Sequence, residues 1–309
     1  MIEFQSVCKN FGERRVLNDL SFRVDAGEIV CLLAANGGGK TTAMRIAMGL
    51  ISSVNGRVIL GEKTSTLGRV RGIGYMPEER GLFDEEKVRP QLEYLAELHK
   101  VPRGDISERV SATLELLGAT EYAETKVKNL SLGNKQRVQL AAAIVHDPDI
   151  LILDEPFSGL DPIGVDGLLK IFAMFAQRKK TVLFSSHQLD VVDRVADKIV
   201  LMQLGAITFE GNADELRGLS NSNRIKLIVE FENGRSFSDV DFSRCAGVTD
   251  VEIVGNQVEM KTSVASLPLK TILESGLLAS EIVDIAREKG SLSSSVAEIF
   301  SSSDRRTGD

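Results

Sequence analysis

The first two-thirds of the chain alternates short apolar runs with longer segments of helical periodicity. Val30–Leu33, Ile150–Leu153 and Thr181–Ser185 are apolar on both sides, as strands buried on both faces must be. Helices are predicted over Thr42–Leu50, Gln91–His99, Ser107–Leu117 and Lys135–His146, the last closed by Pro148 and Asp149. This rhythm predicts an α/β fold with a mainly parallel core sheet covered by helices. Near Arg217–Asn223 the composition turns to Gly, Ser and Asn and marks a linker. Beyond it, Ile225–Phe231 alternates up to the turn pair Asn233-Gly234, which predicts a hairpin. Val248–Val254 and Gln257–Lys261 predict a further strand pair. Leu267–Ser275 and Ser293–Phe300 read as helices around a strand at Ile282–Ile285. Residues 218–309 are therefore expected to form a small α+β domain with a frayed tail, after a first domain at 1–217.

Composition narrows the class without naming a function. The 309 residues are 43% hydrophobic and 26% charged, an ordinary globular mixture. The longest apolar run, Ile29–Ala35, is far short of the about 20 residues of a membrane span. No secretory signal is visible, and the three cysteines, Cys8, Cys31 and Cys245, have neither metal spacing nor a disulfide framework. A formal net charge of −7 offers no global field for nucleic acid, and no direct nucleic-acid partner is expected.

The strongest chemical signal is the run Ala34, Ala35, Asn36, Gly37, Gly38, Gly39, Lys40, Thr41 and Thr42, between a buried strand and a helix. That context is what a P-loop needs. Glycines let successive N–H groups curl around phosphate oxygens, and the helix start adds its positive dipole end. Lys40 would reach the terminal phosphates, and the Thr41 hydroxyl would ligate Mg²⁺. Ala34 stands where the pattern asks for glycine, and is strained if that site requires positive φ. The bland reading is a Gly-rich strand-to-helix turn. Against it stands Ile150–Leu153, an apolar strand that ends in Asp154 and Glu155 and could hold a cation and a water.

Between these two motifs lies Leu130-Ser131-Leu132-Gly133-Asn134, and after them come Ser158-Gly159-Leu160-Asp161 and Ser185-Ser186-His187. With these in order over residues 2–217, the chain resembles the ATP-binding subunits of ABC transporters. Leu130–Asn134 resembles the family signature, and there Leu132, with the run Gly74 to Leu82, is similar to the sodium- or drug-extrusion exporter branch, on which a small C-terminal accessory domain is found. The resemblance implies that Phe11 stacks on adenine, Asp154 holds Mg²⁺ through water, Glu155 activates the attacking water and His187 senses the γ-phosphate. It implies that Ser131, Leu132, Gly133, Asn134 and Asp161 meet nucleotide held by a second subunit. Glu78 occupies the place of a family glutamine; it can accept from water or approach Mg²⁺ but cannot donate. Arg80 is expected to offset its charge.

The implied function is an ATPase that powers an exporter by ATP-driven dimerisation, as a homodimer or with a similar subunit. Its transmembrane permease would be a separate chain, and the ATPase would sit peripherally on the cytoplasmic face of the cell membrane. Two alternatives are a soluble ABC ATPase acting on nucleic acid or the ribosome, and a non-catalytic ATP-binding regulator. A single cassette without basic extension speaks against the first. The presence of Lys40, Asp154, Glu155 and His187 speaks against the second. Leu82 and Phe83 are expected to anchor the permease, while Leu92, Leu95 and Leu98 are expected to face the core.

Overall fold

A computed structural model describes residues 1–61, 63–64, 72–79, 81–219, 223–231, 235–262, 269–288 and 291–304. Arg80 and the Asn233-Gly234 pair lie outside the described residues. Two compact units divide the chain, Met1–Asn212 and Ala213–Asp309.

The first unit holds two sheets. Strands β1 (Ile2–Phe11), β2 (Arg14–Val24), β4 (Asn55–Leu60) and β5 (Lys63–Thr64) form an antiparallel sheet in the order β2-β1-β4-β5. The second sheet runs β10-β9-β3-β8-β7-β6, built from β3 (Ile29–Ala34), β6 (Ile73–Met76), β7 (Ile150–Leu153), β8 (Thr181–Ser185), β9 (Lys198–Gln203) and β10 (Ala206–Gly211). β9, β3, β8, β7 and β6 are parallel neighbours, and only the edge strand β10 runs antiparallel. β7 and β8 are buried at every position, as their unbroken apolar sequence requires. Crossovers use α1 (Lys40–Ala47), α2 (Val88–Leu98), α3 (Ile106–Leu116), α4 (Leu132–Ile144), α5 (Pro162–Gln177) and α6 (Leu189–Val195). Phe157, Phe172 and Phe184 lock α5 onto the sheet, with ring centroids 5.2–5.8 Å apart.

Helix α2 corrects one expectation. Its buried stripe is Val88, Leu92 and Ala96, at i, i+4 and i+8, whereas Leu98 is 62% exposed. The 92/95/98 spacing drifts off the buried face because three residues turn the helix by less than one full turn.

In the second unit, α7 (Ala213–Gly218), α8 (Leu269–Leu273) and α9 (Leu292–Asp304) accompany a four-stranded sheet in the order β12-β13-β11-β14. Its strands are β11 (Asn223–Val229), β12 (Val248–Val254), β13 (Gln257–Thr262) and β14 (Ile282–Glu288). The expected hairpin after Phe231 does not form. β11 is central and pairs with β13 and β14, both later in the chain, and the described residues after it enter a 3₁₀ turn at Phe237–Asp239. Ile225, Leu227, Val258, Met260, Phe242 and Ile272 make its core.

Two of the three histidines stack in the first unit. His99, capping α2, lies 3.7 Å from His146, just past α4, at an interplanar angle of 14°. His146 Nε2 lies 3.2 Å from the Ile73 carbonyl oxygen at the start of β6. Burial, with the neighbouring His99, pushes His146 down to about 4, against the opposing pull of Asp147; Lys180 adds to the lowering. An unfolded imidazole titrates near 6.5. The neutral ring is therefore favoured by folding, and that stability is complete above about pH 6.5 and lost as pH falls toward 4. The melting temperature should fall across this window, and His146→Gln should flatten the fall in a thermal-melt series; an unchanged slope would refute the assignment.

Candidate functional site

The P-loop grows out of β3. Ala34 is the last residue of that strand and pairs with Met202 on β9, so it keeps ordinary extended backbone. The expected strain is absent: positive φ falls on Gly37 (74°) and Gly39 (99°) instead. A Cβ on Gly38 would stand 2.8 Å from the Ala34 methyl, so the loop closes against that methyl. Gly39 caps α1, and Lys40 opens it, nearly buried, with Nζ donating to the Ala34 carbonyl at 2.9 Å. Ala35, Asn36 and Gly37 are exposed, and Thr41 and Thr42 are half-buried.

Asp154 and Glu155 follow β7 directly. Asp154 is fully buried; its Oδ1 accepts from Ser185 Oγ at 2.6 Å, while Oδ2 is buried with no hydrogen-bond partner. The same Ser185 oxygen accepts from the Glu155 N–H at 2.8 Å. Glu155 sits at φ 50°, a left-handed conformation uncommon for a side-chain-bearing residue and one that clusters at functional sites. Its carboxylate lies 3.8 Å from Lys40 Nζ through Oε1 and accepts from His187 Nδ1 at 2.8 Å through Oε2. Burial raises the Cys31 thiol well above its ordinary range, and the Glu155 charge adds to that, so Cys31 is an inert wall.

A cleft of about 300 Å³ is lined by the loop from Asn36 to Thr42 with Val16, Glu78 and Glu155. Glu78 thus faces the same space as Lys40 and Glu155, on a loop held by Gln139. That buried amide on α4 donates to the Pro77 carbonyl at 2.7 Å and to the Glu79 carbonyl at 3.3 Å. Phe11, at the end of β1, is 52% exposed, which excludes a core role; Lys9 Nζ lies 5.2 Å from its ring centroid.

The signature segment stands apart from that cleft. Ser131 caps α4, its Oγ accepting from the Asn134 N–H at 3.3 Å, and Leu132 is exposed. Gly133 packs under the Gly159 carbonyl, only 3.0 Å from where a Cβ would stand. Asp161 caps α5, accepting from the Gly164 N–H at 2.7 Å and from Arg137 at 2.9 Å; those two bonds hold its carboxyl below the usual range. Gln136 reaches the Glu155 and Pro156 carbonyls at 3.3 and 3.2 Å, tying α4 to the loop that follows β7. Sequence reasoning did not single out Ser185, Gln136, Gln139 or Val16 as site residues. A hydroxyl ending the apolar run of β8 was the one signal present for Ser185.

Comparison with known proteins fits this geometry. The family description "ABC transporter" matches residues 17–158. An uncharacterized ABC transporter ATP-binding protein of Methanocaldococcus jannaschii is 37% identical over 238 residues, which cover 75% of this chain and 87% of that protein. The chain belongs to the ATP-binding subunits of ABC transporters. These subunits bind ATP and hydrolyse it to drive transport in company with membrane-spanning permeases. The bacitracin transport ATP-binding protein of Enterococcus faecalis is 36% identical, with 70% of each chain covered. A solved ATP-binding subunit of an ABC transporter superposes with a TM-score of 0.67 at 27% identity, over 71% of this ABC ATPase and 92% of that chain.

Ser185→Ala in this ABC ATPase leaves Asp154 Oδ1 and the Glu155 N–H without their buried partner. Losing such a bond costs about 1–3 kcal/mol of stability. Denaturant melts should show that loss, and steady-state assays should show kcat for ATP falling more than KM rises.

Proposed function

We propose that this chain is the ATP-hydrolysing subunit of an ABC exporter of the sodium- or drug-extrusion branch. It works at the cytoplasmic face of the cell membrane beside a separate permease. Residues 1–217 are the ATP-binding domain and 218–309 an accessory domain. The observation that carries the reading is the pair at the end of β7: a buried Asp154 with one free oxygen, next to a Glu155 gripped by His187 and Lys40. The transport role draws support from relatives named for bacitracin and lantibiotic transport, the latter from Streptococcus pyogenes at 31% identity. No helix among the described residues is long and apolar enough to cross a membrane.

The donors present suit a hard cation: the unpartnered Asp154 Oδ2, the Thr41 hydroxyl and the Glu78 carboxylate are all oxygens. Mg²⁺ bound by them would neutralise charge on the phosphates. Lys40 meets the β- and γ-phosphates from within the loop, whose N–H groups cradle them. Phe11 supplies an exposed ring for adenine. Glu155 orients the water and takes its proton as the water oxygen attacks the γ-phosphorus and the bridging P–O bond breaks to leave ADP. His187 donates from Nδ1 to Glu155, so its Nε2 donates to the γ-phosphate only when the ring is charged. Ser131, Leu132, Gly133, Asn134 and Asp161 complete the pocket of a second copy or a similar subunit. Two ATP molecules are then sandwiched at the dimer interface.

Glu155→Gln should keep ATP binding and lose most turnover, and should accumulate an ATP-dependent dimer visible by light scattering. Lys40→Ala should weaken ATP binding itself. Wild-type turnover in Glu155→Gln would remove the general-base assignment.

The permease anchor is Phe83. Its backbone is clamped by the buried Gln91 amide, which donates to the Phe83 carbonyl at 2.9 Å and accepts from its N–H at 2.8 Å. The ring is left 69% exposed beside Tyr94, over a groove of about 480 Å³. Phe83→Ser should leave basal hydrolysis nearly unchanged and reduce membrane association in co-sedimentation with the permease; loss of folding would return Phe83 to the core.

A further inference from the structure

Arg14 and Arg15 are adjacent on β2, and strand alternation sends them to opposite faces. Arg15 turns toward Cys8, with a guanidinium nitrogen 3.4 Å from its sulfur. Arg14 turns toward the P-loop: its terminal nitrogen lies 3.6 Å from where a Cβ on Gly37 would stand. Two residues along the same face is Val16, which lines the nucleotide cleft and has a methyl 3.4 Å from a Cβ position on Gly39. Directly across the β1–β2 pair from Arg14 is Phe11. Phe11, Arg14 and Val16 therefore present a ring, a cation and an apolar wall on one face beside the phosphate loop.

Charge gives this placement a use. The residues lining the cleft carry one cation, Lys40, against two carboxylates, Glu78 and Glu155. A triphosphate brought there adds several negative charges. Arg14 is an exposed guanidinium at the rim of the loop, with no ion pair or side-chain hydrogen bond among the described residues. A guanidinium is a rigid, always-charged donor that matches phosphate oxygens in pairs. We propose that Arg14 is a second phosphate-binding cation of the site, gripping the polyphosphate of ATP where it passes Gly37. This rests on the nucleotide site proposed above.

The test is calorimetric titration of the full chain in the Glu155→Gln background, with ATP, ADP and adenosine as the probes. Arg14→Ala should weaken ATP binding by about tenfold, the size of one charge-assisted bond at a partly exposed site. Adenosine binding should hold, and Arg14→Lys should recover part of the loss. In the otherwise wild-type chain, Arg14→Ala should raise KM for ATP while kcat at saturation holds. An unchanged ATP affinity in Arg14→Ala would overturn the proposal. So would an equal loss for ATP and adenosine, which would make Arg14 a prop for the base-stacking ring. Failure of the site reading itself is separately visible, because Lys40→Ala would then titrate with ATP as the wild-type chain does.

Discussion

The site depends on one hydroxyl. β7 and β8 are parallel neighbours with Leu153 opposite Phe184, so the residue after β7 meets the last residue of β8. Ser185 Oγ there donates to the Asp154 carboxylate and accepts from the Glu155 amide. Two carboxylates at the end of an apolar strand are costly to desolvate, and each unsatisfied oxygen raises that cost. Ser185, Lys40 and His187 offset it for all but one carboxylate oxygen, Asp154 Oδ2. The same hydroxyl pins the Glu155 amide, which holds the left-handed backbone that turns its side chain toward the P-loop.

Much of the first unit was legible because parallel strands buried on both faces leave unbroken apolar runs. β3, β7 and β8 fall on the runs read from sequence, extended by at most a residue at an end. The antiparallel sheet of β1, β2 and β4 was not legible. Register shifts after Phe4, Val7 and Lys9 break the period-two pattern that would have announced it. In the second unit the alternation at Ile225–Phe231 was a true strand signal, but alternation says nothing of the partner. The Asn-Gly pair suggested a local one, and β13 and β14, from the far end of the chain, took the two edges of β11.

Within the site, residues that form the motifs were legible and the uncharged side chains that brace those motifs from outside were not. Lys40, Asp154, Glu155 and His187 have chemistry that needs explaining wherever it occurs in an apolar context. Gln136 and Gln139 look like ordinary polar positions on a helix, and their value appears only when Glu155, Pro156, Pro77 and Glu79 come within bonding distance. Ala34 is the converse case. A departure from the phosphate-loop pattern looked costly in sequence, yet the strand pairing of Ala34 with Met202 leaves its backbone ordinary and moves the left-handed burden to Gly37 and Gly39.

The double grip of Gln139 on the Pro77 and Glu79 carbonyls makes α4 a lever with two working ends. Its N-terminal end carries Ser131 and Leu132 outward, and two turns along, the same rigid rod holds the loop that places Glu78 in the nucleotide cleft. Gln136, on the same helix, holds the Glu155 and Pro156 carbonyls, so the backbone that places Glu155 and the loop that places Glu78 are braced by one element that begins at Ser131 and Leu132.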